Sequence, residues 1–283
     1  MQTVAVLGTG GAGAAMARRL REHGFAVRAW NRTESRARPL AADGVEVFPT
    51  AAEAVRSAEV VLVTVFDAAA VLAVLSQIAP ALGAGTVVAQ SATVGADIDE
   101  IADSADHLGV TLLDAPFLGN PGTALTFMVA GAPEAKQLAN PVFTALAYTV
   151  IDVTDHPGSA SRLKLACNTW LLGLNAMAAQ AAALTESFGL DARLFLRAVA
   201  DSNADSAYLH YRAVHLTGDS DEVLVPVRAA LKDLGHIRSA AASAGVPDML
   251  LDPLAQLYTR ATDTGLGDHD LTAVRVVLGE KPA

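Results

Sequence analysis

The chain has 283 residues, with 20 Lys plus Arg against 30 Asp plus Glu and a formal net charge of -10. Hydrophobic residues make up 52% and charged ones 18%, which excludes a disordered chain and suits two domains of roughly 150 residues, each with its own core. The acidic balance and the lack of any basic block argue against a nucleic-acid partner, and the single cysteine, Cys167, excludes an internal disulfide framework.

The chain enters directly into MQTVAVLG without a basic leader and cleavage site, so a cytoplasmic location is expected. Residues 3 to 7, TVAVL, read as a buried strand. The loop Gly8-Thr9-Gly10-Gly11-Ala12-Gly13 follows and opens into the helical AAMARRLREHG. Strand, G-x-G-x-x-G and helix in that order predict a dinucleotide site: the first glycine makes the turn, the second admits the pyrophosphate, and the third lets helix and strand pack closely. The next strand, FAVRAW, runs into Asn31-Arg32-Thr33. An NAD site would usually place an acid there for the ribose hydroxyls; an arginine and a hydroxyl, with Arg36 one turn on, suit a 2′-phosphate instead, so NADP(H) is expected over NAD(H).

Helical RARPLAADG, a short strand VEVF, helical AAEAVRSA, the apolar strand EVVLVTVF, helical AAAVLAVLSQIAPAL and the strand GTVVAQ come next. The alternation predicts a doubly wound parallel α/β sheet of the Rossmann type, with ligands at the carboxyl ends of its strands. Val65-Phe66-Asp67, Ser91-Ala92-Thr93 and Asp114-Ala115-Pro116 all begin where strands end, so they are expected to line one crevice with the glycine loop. QSATVGADIDEIADSADHLG reads as a helix, VTLLDAP as a strand, FLGNPGTA as a loop with turn residues Gly119, Asn120, Pro121 and Gly122, and LTFMVAG as another strand. That loop suits either anion binding through its amides or a plain hairpin connection. Helical PEAKQLANPVFTAL and the strand TVIDVTD complete this half.

From Ser159 strand patterns vanish, and five segments read as helices: SASRLKLACNTWLLGLNAMAAQAAALTESFG, DARLFLRAVADS, VPVRAALKDLGHIRSAAASAG, PDMLLDPLAQLYTRATDTG and HDLTAVRVVLG. The expected division is a nucleotide-binding domain over 1–158 and an all-helical domain over 159–283. Between Lys164 and Glu186 no residue is charged. That stretch is long enough to span a membrane, but its Asn, Gln and Thr residues and the lack of basic flanks favour one buried helix, with Cys167 packed in the core. Lys164 and Asn168, four apart, share one helix face. So apolar a helix has more face than a small helical domain can cover, and a homodimer sharing it is expected.

The segments LGTGGAGAAMARRL, WNRT, SATV, LLDAPFLGNPGTA, GSASRLKLACN and ALKDLGHI, in this order and across the whole chain, resemble the β-hydroxyacid dehydrogenase family, near the 3-hydroxyisobutyrate dehydrogenases. The resemblance implies a Rossmann domain followed by a helical domain like the C-terminal part of 6-phosphogluconate dehydrogenase. It also implies NAD(P)-dependent interconversion of a 3-hydroxy acid and its semialdehyde or keto form, without a metal. It gives Lys164 the acid/base role and Asn168 the orientation of substrate, and it brings Lys232 to the substrate from the second domain, with Asp233 fixing helix geometry. Two departures stand out. The family's Ser-Gly-Gly is Leu118-Gly119-Asn120 here, and its Ser-Thr pair is Ala92-Thr93, so two hydroxyls that would hold substrate are absent. Apolar Leu118 and Trp170 would suit a hydrophobic, amine-bearing substrate, as in the imine reductases, which carry a similar WNRT segment but generally another residue at the lysine position. A non-catalytic NADPH-binding scaffold is a third reading, against which Lys164 and Asn168 both argue.

Overall fold

The computed structural model describes residues 1–119 and 125–279. They fall into two compact units, Met1–Lys164 and Leu165–Ala283.

The first unit runs β1 (Thr3–Leu7), α1 (Gly11–Glu22), β2 (Ala26–Trp30), α2 (Glu34–Ala37), β3 (Glu46–Val47), α3 (Ala51–Val55), β4 (Val60–Val63), α4 (Ala68–Ile78), β5 (Val87–Gln90), α5 (Ile98–His107), β6 (Thr111–Asp114), β7 (Phe117–Gly119), β8 (Leu125–Ala130), α6 (Pro133–Leu146) and β9 (Thr149–Thr154), then the start of α7 (Ser159–Ser187). Strands β3-β2-β1-β4-β5-β6 are parallel neighbours in that order, the arrangement of dinucleotide-binding sheets. Strand residues read as continuous apolar runs because both faces are covered. Val4, Val6, Leu62 and Leu113 pack against Met16, Leu20, Val142 and Phe143 of α1 and α6. Ala5, Leu7, Val61 and Val63 pack against Val55, Val71, Leu75 and Ile101 of α3, α4 and α5. Each large side chain buried this way contributes roughly 1.5–3 kcal/mol.

Four expectations need correcting. The loop reading of Phe117–Gly119 gives way to a strand: β7 pairs antiparallel with β8, Gly119 facing Leu125, and β8 is also antiparallel to β6. The parallel sheet therefore acquires an antiparallel edge, and β9 returns parallel to β8. RARPLAADG is helical only to Ala37, after which Arg38–Asp43 tighten into a 3-10 turn with Pro39 at its start. AAEAVRSA stops at Val55: Arg56 leaves the helical region at φ −57°, ψ 127°, and Ser57 follows with a positive φ of 64°. In QSATVGADIDEIADSADHLG the α-helix begins only at Ile98, after a 3-10 turn over Gly95–Asp97.

The second unit holds the rest of α7, α8 (Ala192–Val199), α9 (Ala207–Leu216), α10 (Val227–Ala244), α11 (Leu251–Ala261) and α12 (Val274–Gly279). On α7 the residues Leu165, Leu172 and Ala179, seven apart, face a core of Leu216, Val227, Leu234, Tyr258 and Val274. The helix is not buried all round: Trp170, Met177 and Leu184, also seven apart, form an exposed stripe. Its inner Asn175 is fully buried and fully used: Nδ2 donates to the Tyr258 hydroxyl and to the Leu271 carbonyl, both at 2.9 Å, and Oδ1 accepts from the Tyr208 hydroxyl at 2.8 Å. Helix α9, absent from the expected set, is capped by Ser206 and turns Arg212, His215 and Leu216 inward. Arg212 forms a buried ion pair with Asp270 at 3.0 Å. None of the described helices is long and apolar enough to cross a membrane.

Candidate active site

Gly8 and Gly13 of the glycine loop are glycines for steric reasons. Gly8 has φ +98°, and its amide donates to the Trp30 carbonyl at 2.9 Å, tying the end of β1 to the end of β2. A Cβ on Gly13 would lie 1.9 Å from the Gly8 carbonyl oxygen and 2.5 Å from Thr64 Oγ1, so α1 packs onto β1 only without it. Gly10 and Gly11 differ: no atom lies within 4 Å of where their Cβ would be. Helix α1 starts there with no side-chain cap, leaving its first amides and positive dipole end to a ligand.

Between them, the Thr9 amide donates to Asn31 Oδ1 at 2.9 Å, and Asn31 Nδ2 donates to the Thr33 carbonyl at 2.9 Å. Asn31 thus braces the loop against the end of β2. Beyond it Arg32, Thr33 and Arg36 are exposed, and among the described residues no carboxylate pairs with either arginine. Phe66 is exposed, while Asp67 caps α4 by accepting from the Ala70 amide at 2.8 Å. At the end of β5, Gln90 Oε1 accepts a short hydrogen bond from the Ala92 amide. Ala92 is buried and Thr93 half-buried. Of the buried polar atoms without a hydrogen-bond partner among the described residues, three, Thr9 Oγ1, Gln90 Nε2 and Ser91 Oγ, belong to strand ends, while others are scattered on Arg21, Arg212, His215 and Arg238. These three sit at or just after the carboxyl ends of β1 and β5, where ligands of such sheets sit. Open glycines, an uncapped helix start and unsatisfied hydroxyl and amide groups fit a dinucleotide.

Leu118 and Gly119 lie on β7, Leu118 half-buried opposite Thr126. Asn120 lies outside the described residues. Asp114, placed by sequence in the crevice, is instead fully buried and turned to α7: its Oδ2 accepts from the Gly158 amide at 2.9 Å and the Ser161 amide at 2.8 Å, and its Oδ1 from the Ser161 hydroxyl at 2.6 Å. Burial drives its carboxyl above the usual range, against the pull of the Ser161 and Gly158 hydrogen bonds and the charge of Arg162. Lys164 follows three residues after Ser161 on the same helix and is 9% exposed. In the second unit Asn168, 6% exposed, donates through Nδ2 to Asp233 Oδ2 at 2.8 Å. Lys232 Nζ stands 3.3 Å from Asp233 Oδ1. Trp170 is 70% exposed, and two residues beyond Asn168 it is turned by about 200°, onto the other side of the helix. Among the described residues no group of His, Cys, Asp and Glu is arranged to hold a metal ion.

Residues 3–154 match the family described as the NAD binding domain of 6-phosphogluconate dehydrogenase, and residues 158–278 match NAD-binding of NADP-dependent 3-hydroxyisobutyrate dehydrogenase. A probable 3-hydroxyisobutyrate dehydrogenase of Mycobacterium tuberculosis is 30% identical over 290 residues, 97% of either chain. The chain belongs to the β-hydroxyacid dehydrogenase family. As a β-hydroxyacid dehydrogenase it is an NAD(P)-dependent oxidoreductase. Similar family members include an L-threonate dehydrogenase of Cupriavidus necator, 31% identical over 96% of this chain and 95% of its own. The crystal structure of 3-hydroxyisobutyrate dehydrogenase from Salmonella typhimurium matches with a TM-score of 0.89 at 26% identity, covering 98% of this chain and 100% of that one. An imine reductase from Pseudomonas sp. shares the fold, with a TM-score of 0.68 at 22% identity over 96% of this chain and 98% of its own. Within this β-hydroxyacid dehydrogenase, sequence reasoning missed Gln90, the turn of Asp114 to α7, and the bond from Asn168 to Asp233.

Proposed function

We propose that this protein is an NADPH-dependent reductase that interconverts a 3-hydroxy acid, or a related alcohol, with its semialdehyde or keto form. The observation that carries the reading is Lys164: a lysine on the inner face of a long helix, largely withdrawn from water, with the amide of Asn168 one turn further on. The glycine loop and the uncapped start of α1 would hold the cofactor's phosphates, and NADPH bound there would supply the hydride for the carbonyl carbon. The oxygen then gathers negative charge, and the Lys164 ammonium donates a proton to it; in the reverse direction the neutral amine removes that proton. Asn168, its amide oriented by Asp233, holds the substrate oxygen in line. Arg32 and Arg36, exposed and without acid partners among the described residues, support a choice of NADPH, whose 2′-phosphate they can take in a charge-assisted bond. We further propose a homodimer that covers the Trp170, Met177 and Leu184 stripe.

The second reading, imine reduction, is favoured by the apolar Ala92 and Leu118 where hydroxyls would hold a carboxylate. NADPH oxidation followed with a panel of semialdehydes, glyoxylate and cyclic imines separates the two. Turnover of the carbonyl compounds supports the first reading, and turnover of imines alone sinks it. Lys164→Ala is expected to lower carbonyl reduction by roughly 10²- to 10⁴-fold while NADPH still binds, as for removal of a general acid. Survival of activity in that variant removes Lys164 from its role.

A further inference from the structure

The start of α7 lacks a cap of its own. The residue before it, Gly158, has no side chain, and one there would be strained: its φ is +110°, and a Cβ would displace Arg162 Nη1, 2.5 Å away, and approach Asp99 Oδ1 at 3.3 Å. In a capping box a helix satisfies two of its first amides with a reciprocal pair, the capping side chain accepting from the third helical amide and the third side chain accepting from the capping amide. Here Gly158 is the capping residue and Ser161 the third helical residue, and both amides go to one oxygen of Asp114, at 2.9 and 2.8 Å. The carboxylate's other oxygen takes the Ser161 hydroxyl at 2.6 Å. A single side chain from the end of β6 therefore does what two local side chains do elsewhere.

Lys164 is one turn beyond Ser161, and side chains three apart on a helix share a face. Asp114 in turn is followed at once by Ala115, Pro116 and β7, where Leu118 and Gly119 lie. The same carboxylate thus joins the strand that leads into the candidate substrate segment to the helix turn that carries the candidate acid/base.

We propose that Asp114 is the positioning residue of this enzyme: it caps α7 from a neighbouring strand and so fixes the rotation and height at which Lys164 is presented. This rests on the reading of Lys164 as the acid/base. Asp114 itself touches neither substrate nor cofactor in this role. Its carboxyl, held above the usual range by burial against the opposing hydrogen bonds of Ser161 and Gly158, is a group kept for its geometry, and a neutral isostere serves equally well.

The test compares Asp114→Asn, Asp114→Ala and Ser161→Ala with the parent in the full-length protein. Amide hydrogen exchange at Gly158 and Ser161 reads the cap without any turnover. In Asp114→Ala those amides are expected to exchange faster. Its kcat for carbonyl reduction is expected to fall roughly 10- to 100-fold, the effect of displacing a reacting group by about 1 Å, while NADPH affinity is unchanged. Asp114→Asn keeps an oxygen for the two amides and an NH₂ for the Ser161 hydroxyl, and is expected to restore both slow exchange and kcat. If Asp114→Ala does not fold, Ser161→Ala removes one contact only and is expected to lower kcat by about 3- to 10-fold, a neutral hydrogen bond's worth.

Unchanged exchange in Asp114→Ala overturns the cap, and faster exchange with unchanged kcat overturns the positioning role. Failure of Asp114→Asn as complete as that of Asp114→Ala overturns the geometric account, as does full activity of Ser161→Ala. If Lys164→Ala stays active, the positioning role falls with the function assigned to Lys164, and the exchange data still show whether Asp114 holds the helix.

Discussion

Asn168 donates its side-chain Nδ2 to Asp233 Oδ2 at 2.8 Å, and this bond decides which way the Asn168 amide points. An ionised carboxylate only accepts, so the nitrogen must face Asp233 and the oxygen must face elsewhere. Asp233→Asn can donate as well as accept, and so it frees the Asn168 amide to flip. We expect kcat to fall by roughly one to two orders of magnitude with little change in NADPH affinity, since hydrogen bonds to charged groups contribute about 1.5–3 kcal/mol. Steady-state kinetics beside a cofactor titration check this, and a loss confined to NADPH affinity contradicts it.

The two exposed guanidiniums after β2 set a second expectation. Replacing both Arg32 and Arg36 by alanine is expected to weaken NADPH binding by about 10- to 100-fold and to leave NADH binding nearly unchanged, because only the 2′-phosphate loses its charge-assisted partner. Nicotinamide fluorescence titrations with both cofactors measure the ratio. An equal loss for the two would assign these arginines to general structure.

Two buried carboxyls give opposite pH behaviour. Burial pushes Asp270 up, but the charge of Arg212 and the hydrogen bonds from Thr272 and Val225 outweigh it, and the folded-state value lies below the ordinary one. Such a group contributes stability that is present above its unfolded value of about 3.9 and is lost as pH falls through its folded value. Asp270→Asn leaves Arg212 buried without its counter-charge and is expected to lose roughly 3–5 kcal/mol near neutrality, converging on the parent in acid. Asp114 is raised, so its ionisation works against the fold, and its contribution declines as pH rises through the folded value. Asp114→Asn should therefore gain on the parent as pH rises from the unfolded carboxyl value of about 3.9 to the higher folded one. Thermal melts from strong acid to neutrality read both, and parallel curves for parent and variants contradict both signs.

The exposed stripe of α7 predicts self-association. Met177 is 68% and Leu184 51% exposed, in line with Trp170. A charge at the middle of an apolar interface is hard to desolvate, so Met177→Glu is expected to convert a dimer into monomers. Light scattering at micromolar concentration distinguishes them, and a parent that is already monomeric removes the proposal.

Features that depend on near neighbours were legible in the sequence. The apolar run before Gly8, the spacing of the glycines and the charge-free stretch after Lys164 each predict their own element, because period and turn chemistry act within a few residues. Features that depend on distant partners were not. The bond from Gly158 to Asp114 spans 44 residues, and nothing in LLDAP announces a cap for a helix so far downstream. Helix α9 escaped notice because its inner face is Arg212, His215 and Leu216, so burial and hydrophobicity do not coincide there. Strand β7 is three residues long and sits between Pro116 and the turn residues that begin at Gly119, too short for an alternating pattern to show. At the site itself, the glycine loop could be named from residue type and spacing, whereas the role expected of Lys164 came from the family resemblance. The bracing of Asn31, the orphaned Gln90 Nε2 and the orientation of Asn168 emerge only from three-dimensional pairing.

The difference between the two kinds of glycine in the cofactor loop gives a way to separate the scaffold from its ligand. Gly10 has φ −66° and ψ −173°, a conformation open to any residue, and empty space where its Cβ would be. Gly10→Ala is therefore compatible with the fold and adds a methyl group where the proposed pyrophosphate contact lies. Gly13→Ala would instead wedge α1 off β1. The first substitution yields a folded apo reference protein, against which heat, exchange and proteolysis measurements report what the cofactor alone adds.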